Sequence, residues 1–176
     1  SATYWNPAAM VQLDQKEIMG LQATLFEDTT FTFLSYAHPT AKYGVWGINM
    51  TSLSSGGFEK VSVTVDPSSP PDSPDFLSVQ DLGSFDVTQQ AFTLAYGKQV
   101  NKKISMGLGV KKIDNTIDTF TQSFMGVDAT VFSRVNKNYR VGLAVQNAVN
   151  QAPSGSDDRL PLTIRIGNAY SLLNDR

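Results

Sequence analysis

The stretch Ile104-Ser105-Met106-Gly107-Leu108-Gly109-Val110-Lys111 indicates the fold class, because every second residue in it is large and apolar. Alternate side chains of a β-strand point to opposite faces, so one face here is apolar and the other is nearly bare. A membrane barrel turns its apolar face to lipid and a small or polar face to its lumen. The stretch therefore predicts a strand of a transmembrane β-barrel.

The same alternation recurs along the chain and predicts an all-β, antiparallel meander with about eight visible strands. The apolar positions predicted to face lipid are Ile104, Met106, Leu108, Val110, Val141, Leu143, Val145, Leu162, Ile164 and Ile166. The polar positions of opposite parity, predicted to face the lumen, are Lys111, Asp128, Gln146 and Arg165. A Lys or Arg on the lipid face would cost about 2–4 kcal/mol near the midplane, so their parity supports this assignment.

The first 20 residues differ from the rest of the chain. Asn6 and Pro7 suit the N-cap and the first position of a short helix. We expect residues 21–176 to form the strands, interrupted at 66–83 by a Pro-rich loop that suits neither a helix nor a central strand. Short polar turns at 98–103 and 136–138 alternate with longer predicted loops at 114–121 and 148–159, as in outer-membrane barrels.

Aromatic residues near the predicted strand ends suit the interface girdles of a barrel. They are Tyr36, Tyr43, Tyr96, Phe132, Tyr139 and Tyr170. A soluble β-sandwich would also show alternation, with one face in the core and one in water. The bare faces, however, are rich in Gly and Ala, and glycine inside a strand weakens it, so a soluble protein gains little from glycines on exposed faces. The barrel is therefore favoured, and the sandwich remains the alternative.

Composition and motifs exclude several classes of protein. The chain is 17% charged with a net charge of −2, so it has no basic field for nucleic acid. It contains no Cys, and its single His38 has no partner motif for catalysis or metal binding. Asp66, Asp72 and Asp75 do not follow the spacing of an EF-hand. We expect no enzyme activity, metal or cofactor, and no stretch is long and apolar enough for a membrane helix.

Three segments resemble the PorV/PorQ-like outer-membrane proteins, relatives of the FadL-like transporters. The segment 4–10 (YWNPAAM) is similar to their "YWNPA" segment, 139–147 (YRVGLAVQN) to their "lrlGlavqNlG" strand, and 160–170 (LPLTIRIGNAY) to their "LPltlrlGlaY" strand. The resemblance implies a barrel of about fourteen strands, of which this chain shows an N-terminal part. It also implies that residues 1–20 lie as a hatch inside the lumen. The hatch residues that carry it are Tyr4, Trp5, Asn6, Pro7 and Ala8.

The resemblance implies a bacterial outer-membrane location, contact with outer-membrane lipid and one of two functions. PorV-like members serve the type IX secretion system as cargo shuttles, which predicts a protein partner at the extracellular loops. FadL-like members instead pass hydrophobic small molecules across the membrane. The predicted lumen residues are small or polar, which favours the protein partner over the hydrophobic ligand. A soluble β-sandwich that binds partners in a secreted or surface assembly is the third hypothesis.

Overall fold

The structure, a computed structural model, describes residues 2–26, 28–70, 72, 76–151 and 158–172. Eight antiparallel strands form one sheet in chain order and curl into a half-barrel, which confirms the all-β meander. The strands are β1 (Glu17–Thr24), β2 (Thr30–Thr40), β3 (Gly44–Val65), β4 (Phe76–Gln99), β5 (Ile104–Ile117), β6 (Phe120–Arg134), β7 (Tyr139–Gln151) and β8 (Thr163–Tyr170). A short helix α1 (Ala2–Trp5) and a 3-10 helix (Pro7–Gln12) precede them.

The sheet has an inner face, which the two N-terminal helices contact, and an opposite outer face. The register keeps apolar residues on the outer face from strand to strand, as in the pairs Leu94 with Val110 and Leu143 with Ile166. Leu108, on this face, remains 56% exposed. The inner face buries seven polar residues, Ser35, Asn49, Thr93, Ser105, Asp128, Thr130 and Gln146, beside the apolar Ala37, Val45, Ala95, Phe124, Phe132 and Ala144. This polarity is the reverse of a water-soluble sheet, which buries its apolar face.

Several predicted boundaries were wrong. Residues 76–83, predicted as loop, belong to β4, and residues 114–121 are strand except for a turn at 118–119. Irregularities in the pairing of β3 with β4, between Glu59 and Val61 and between Thr64 and Val65, break the alternation there. Residues 17–20 pair with β2, so the sheet begins inside the predicted hatch.

The distal halves of β3 and β4 form an arm, residues 58–65 and 76–85, that extends beyond the neighbouring strands. β2 pairs with β3 only as far as Ser54, and β5 pairs with β4 only as far as Val87. Phe58 and Phe85 stack across the arm with ring centroids 5.5 Å apart. An isolated two-stranded ribbon is marginal in water, so the arm is the least supported part of the described sheet.

The described strands form one sheet, so they do not make the two packed layers that the sandwich alternative requires. No helix among the described residues is long and apolar enough to span a membrane. Of the predicted girdle residues, Phe132 was placed wrongly, because it is buried on the inner face. Tyr96, another of these predicted residues, lies on the outer face, and its ring centroid is 4.7 Å from that of Trp46.

Candidate functional site

The candidate site is the inner face where the N-terminal segment, residues 2–13, packs against β3 to β7. Pro7 fixes φ for the first turn of the 3-10 helix, and the amide of Leu13 closes its end on the carbonyl of Met10 at 2.9 Å. Asn6 lies at the predicted N-cap position, and its carbonyl accepts a hydrogen bond of 2.9 Å from the amide of Ala9, but its side chain does not cap the helix. Its Nδ2 instead donates to the carbonyl of Val131, at 3.2 Å, and ties the segment to β6.

The segment lies close to the backbone of β4 and β5. The amide of Ala8 donates to Oγ1 of Thr130 at 3.0 Å, and Pro7 and Ala8 are both buried. A Cβ on Gly107 would overlap the backbone nitrogen of Ala8, and one on Gly97 would overlap the carbonyl of Pro7. Glycine at these two positions is what lets the two backbones approach so closely.

Two of the predicted lumen residues form an ion pair beside this segment. Nζ of Lys111 lies 2.9 Å from Oδ1 of Asp128, and their side chains are only 13% and 6% exposed. Oδ1 of Asp128 also accepts a hydrogen bond of 2.8 Å from the amide of Asn147. Asn147 has φ 58°, where the pairing of β6 with β7 shifts register, so this bend turns its amide toward the carboxylate. The pair is a buried, satisfied charge cluster.

The other two predicted lumen residues contact the predicted hatch residues Tyr4 and Trp5. Nε2 of Gln146 donates to the carbonyl of Tyr4 at 3.5 Å. The guanidinium carbon of Arg165 lies 4.5 Å from the centroid of the Trp5 ring, within the range of a cation–π contact. The structure therefore brings all four polar residues to the inner face, in two groups along the N-terminal segment.

The apolar residues predicted to face lipid lie on the outer face wherever they belong to strands. Ile104, Met106, Leu108 and Val110 are all exposed there, as are Leu143, Ile164 and Ile166. Val141 and Val145 are partly buried on the same face. Leu162 lies just before β8 begins at Thr163, so strand parity does not apply to it.

Sequence reasoning missed an apolar cavity of about 320 Å³ on the inner face, between the N-terminal segment and the first three strands. Its lining is Tyr4, Trp5, Met19, Leu21, Phe31, Phe33 and Thr51. The rings of Tyr4 and Phe33 meet edge to face, with centroids 6.4 Å apart. The sequence did contain a signal for it: Met19 and Leu21 in β1, and Phe31 and Phe33 in β2, are two residues apart and therefore share a face. Both strands also carry apolar residues on the outer face, which hid the inner set.

The other sequence candidates do not form a reactive site. Nδ1 of His38 hydrogen-bonds to the hydroxyl of Tyr36 at 2.9 Å on the outer face. Within the described part of the chain, no three His, Asp or Glu residues form a group that could hold a metal ion. Asp66 accepts hydrogen bonds from the side chain and the amide of Ser68, which lower the pKa of its carboxyl. These contacts give Asp66 a role in the local turn.

The arrangement at the inner face holds a peptide segment and leaves an apolar space beside it. Neither an activated nucleophile nor an acid–base pair is found among the groups described there. No protein-family model, no curated protein and no solved structure matches this chain.

Proposed function

We propose that this chain is part of a non-enzymatic, PorV-like bacterial outer-membrane β-barrel protein. In this proposal the curled sheet forms barrel wall and the N-terminal segment lies in the lumen as a hatch. The observation that carries the proposal is the reversed polarity of the sheet, with an exposed apolar outer face and an inner face that buries polar and charged residues such as Asn49, Asp128 and Gln146. Lipid contact stabilises such an outer face, whereas water does not.

A charge scan tests the membrane location. Leu108 lies on the apolar outer face, and Val100 lies in the turn between β4 and β5, at similar exposures of 56% and 60%. Leu108 pairs with Tyr96 and lies between the interface and the midplane, so in lipid Leu108→Lys destabilises the folded protein by about 1–3 kcal/mol and Val100→Lys, in a turn, by about 0–1 kcal/mol. In water, both exposed substitutions change stability by less than about 0.5 kcal/mol. Unfolding by urea in lipid vesicles measures the difference, and equal small effects would contradict the proposal.

The arm supports the PorV-like function as a platform for secreted cargo of a type IX secretion system. Val61, Val63 and Val79 share one side of this ribbon, and all three are exposed. Exposed apolar side chains on a marginal ribbon are typical of a surface that a protein partner covers. We therefore assign the cargo contact to this side of the arm.

Site-specific photocrosslinking in cells tests that contact. A photoreactive residue at Val63 of the arm is compared with one at Val135 of the β6–β7 turn, where exposures are 43% and 45%. The expected result is a protein adduct of defined mass at Val63 that is absent at Val135. Equal labelling at the two positions, or no adduct at Val63, would rule out the arm as the contact.

A second candidate function, FadL-like transport of hydrophobic small molecules, is favoured by the apolar cavity. Trp5 lines this cavity, and the only other tryptophan of the chain is Trp46. In a Trp46→Phe protein, a brominated fatty acid that enters the cavity quenches the fluorescence of Trp5. Leu21→Phe reduces the space in the cavity without adding a second tryptophan, so it serves as the blocking variant. Quenching that survives this variant unchanged would count against transport through the cavity.

A further inference from the structure

The two ends of the sheet carry opposite charge. Three turns join β2 to β3, β4 to β5 and β6 to β7 at one end, which we call the short-turn end. The segments 41–43, 98–103 and 134–140 at this end hold half of the chain's 14 Lys and Arg residues and no Asp or Glu. Asp14 and Lys16 just before β1 and Glu17 at its start lie near this end and together add one negative charge. The short-turn end therefore remains strongly basic.

These basic side chains are exposed and without acidic partners in the described part of the chain. Arg134 and Arg140 are direct cross-strand partners in β6 and β7. The amide of Arg134 bonds to the carbonyl of Lys103, which places a third cation next to them. Like charges that face each other across strands destabilise a sheet. An anion at this edge of the sheet would weaken that repulsion.

An aromatic row lies on the outer face beside Lys98 and the turn at 41–43, whereas Arg134 and Arg140 continue the inner-face row of Phe132 and Gly142. The hydroxyl of Tyr96 bonds to the carbonyl of Tyr43, at 2.7 Å, and its ring contacts Trp46. Further round the sheet, Tyr139 and Tyr170 pair with ring centroids 6.4 Å apart. Aromatic rings of this kind lie at the headgroup level of a membrane, between its apolar core and water. The apolar outer face therefore ends in an aromatic row, and the row ends in a basic rim.

We propose that this basic rim binds the headgroups of anionic glycerophospholipids in the membrane leaflet at the short-turn end. The inference rests on the proposed function, because it requires the apolar outer face to lie in lipid. Each Lys or Arg near an anionic lipid surface contributes attraction that salt weakens. Acidic residues such as Asp28, Asp66 and Asp118 lie toward the other end of the strands, so the preference applies to one leaflet.

Quenching of Trp46 by brominated lipids tests the proposal. The protein, in a Trp5→Phe background, is placed in phosphatidylcholine vesicles that contain brominated phosphatidylglycerol or brominated phosphatidylcholine. Lys42 precedes Tyr43 in its turn, and Lys98 follows Tyr96 by two residues on the same face, so both lie near this fluorophore. The expected result is an apparent affinity for phosphatidylglycerol about five- to twentyfold above that for phosphatidylcholine.

The variants separate the rim from general charge effects. Lys42→Gln with Lys98→Gln is expected to remove most of the preference, while quenching by brominated phosphatidylcholine persists. Lys112→Gln is the matched control, since Lys112 lies on the outer face toward the other end of β5 and pairs with Asp114. Equal quenching of Trp46 by both lipids would overturn the rim and leave the membrane location intact. Absence of quenching by either lipid would overturn the rim and the proposed function together.

Discussion

Gly107→Ala provides a sharp test of how the N-terminal segment is held. The new Cβ would overlap the nitrogen of Ala8 and lie 2.7 Å from both the carbonyl carbon of Pro7 and Oγ1 of Thr130. Two of these three atoms belong to backbone, which a rotamer change cannot move. The segment must therefore shift away from β5 and give up the bond from Ala8 to Thr130.

The expected cost follows from those contacts. Losing the hydrogen bond costs about 1 kcal/mol, and overpacking a buried contact costs about 1–3 kcal/mol. A total of about 2–4 kcal/mol raises the population of the released segment by a factor of about 30–1,000. Hydrogen exchange of the Ala8 amide measures this directly, because the amide exchanges when its bond to Thr130 opens.

Gly109→Ala is the control, since Gly109 lies on the same strand and the same face. Its nearest atoms are Cβ of Asp128 at 3.6 Å and two others at 3.8 Å, which is ordinary van der Waals contact. We expect exchange at Ala8 to change by less than about threefold in this variant. If Gly107→Ala gave the same small change as Gly109→Ala, the close backbone contact would not hold the segment. If both variants released it equally, loss of glycine itself would be the cause.

Three further predictions concern charges and rings. Asp128→Asn leaves the ammonium of Lys111 buried without its counter-charge, and we expect a loss of about 3–5 kcal/mol in urea unfolding; replacing both residues by apolar ones should recover much of it. Trp5→Ala removes a cation–π contact of about 0.5–2 kcal/mol and should raise hydrogen exchange in the N-terminal segment, whereas Trp5→Phe should raise it less. The lowered pKa of Asp66 means that its bond to Ser68 stabilises the turn above the carboxyl's ordinary pKa and is lost as pH falls through the lowered one. An NMR titration of the Ser68 amide should follow that midpoint, and a midpoint at or above the ordinary carboxyl value would contradict the assignment.

The face on which each strand residue lies could be predicted from the sequence. Alternate side chains point to opposite faces, so placing one residue also places its neighbours. The alternation in β5 alone placed Leu108 outside and Lys111 inside, and the register carries the same parity across the sheet. The structure also changes what a charge at Leu108 can test. A charge at Leu108 would harm a sandwich core as much as a lipid face, but the described sheet leaves Leu108 exposed. That substitution now distinguishes lipid from water.

The arm and the inner cavity could not be predicted because each depends on a departure from simple alternation. Bulges near Phe58 and Val61 shift the period by one residue, so 76–83 does not show a strand pattern. The cavity is lined by Phe31 and Phe33 on the inner face of β2, whereas Leu34 and Tyr36 face outward, so the apolar residues change face along this strand and simple alternation does not place them. The contact of Arg165 with Trp5 joins positions 160 residues apart and follows only from the curl of the sheet.

The meander and the N-terminal segment differ in how far apart in the chain their partners lie. Every strand pairs with its immediate successor, whereas Ala8 and Asn6 bond to β6 at separations of 122 and 125 residues, and the carbonyl of Tyr4 bonds to β7 at 142. Closing such long loops costs entropy that is repaid only when the distant partners are in place. We therefore expect the N-terminal segment to dock after the sheet has formed. In that order the inner face of the sheet stays open while the strands pair, and the segment covers part of it afterwards.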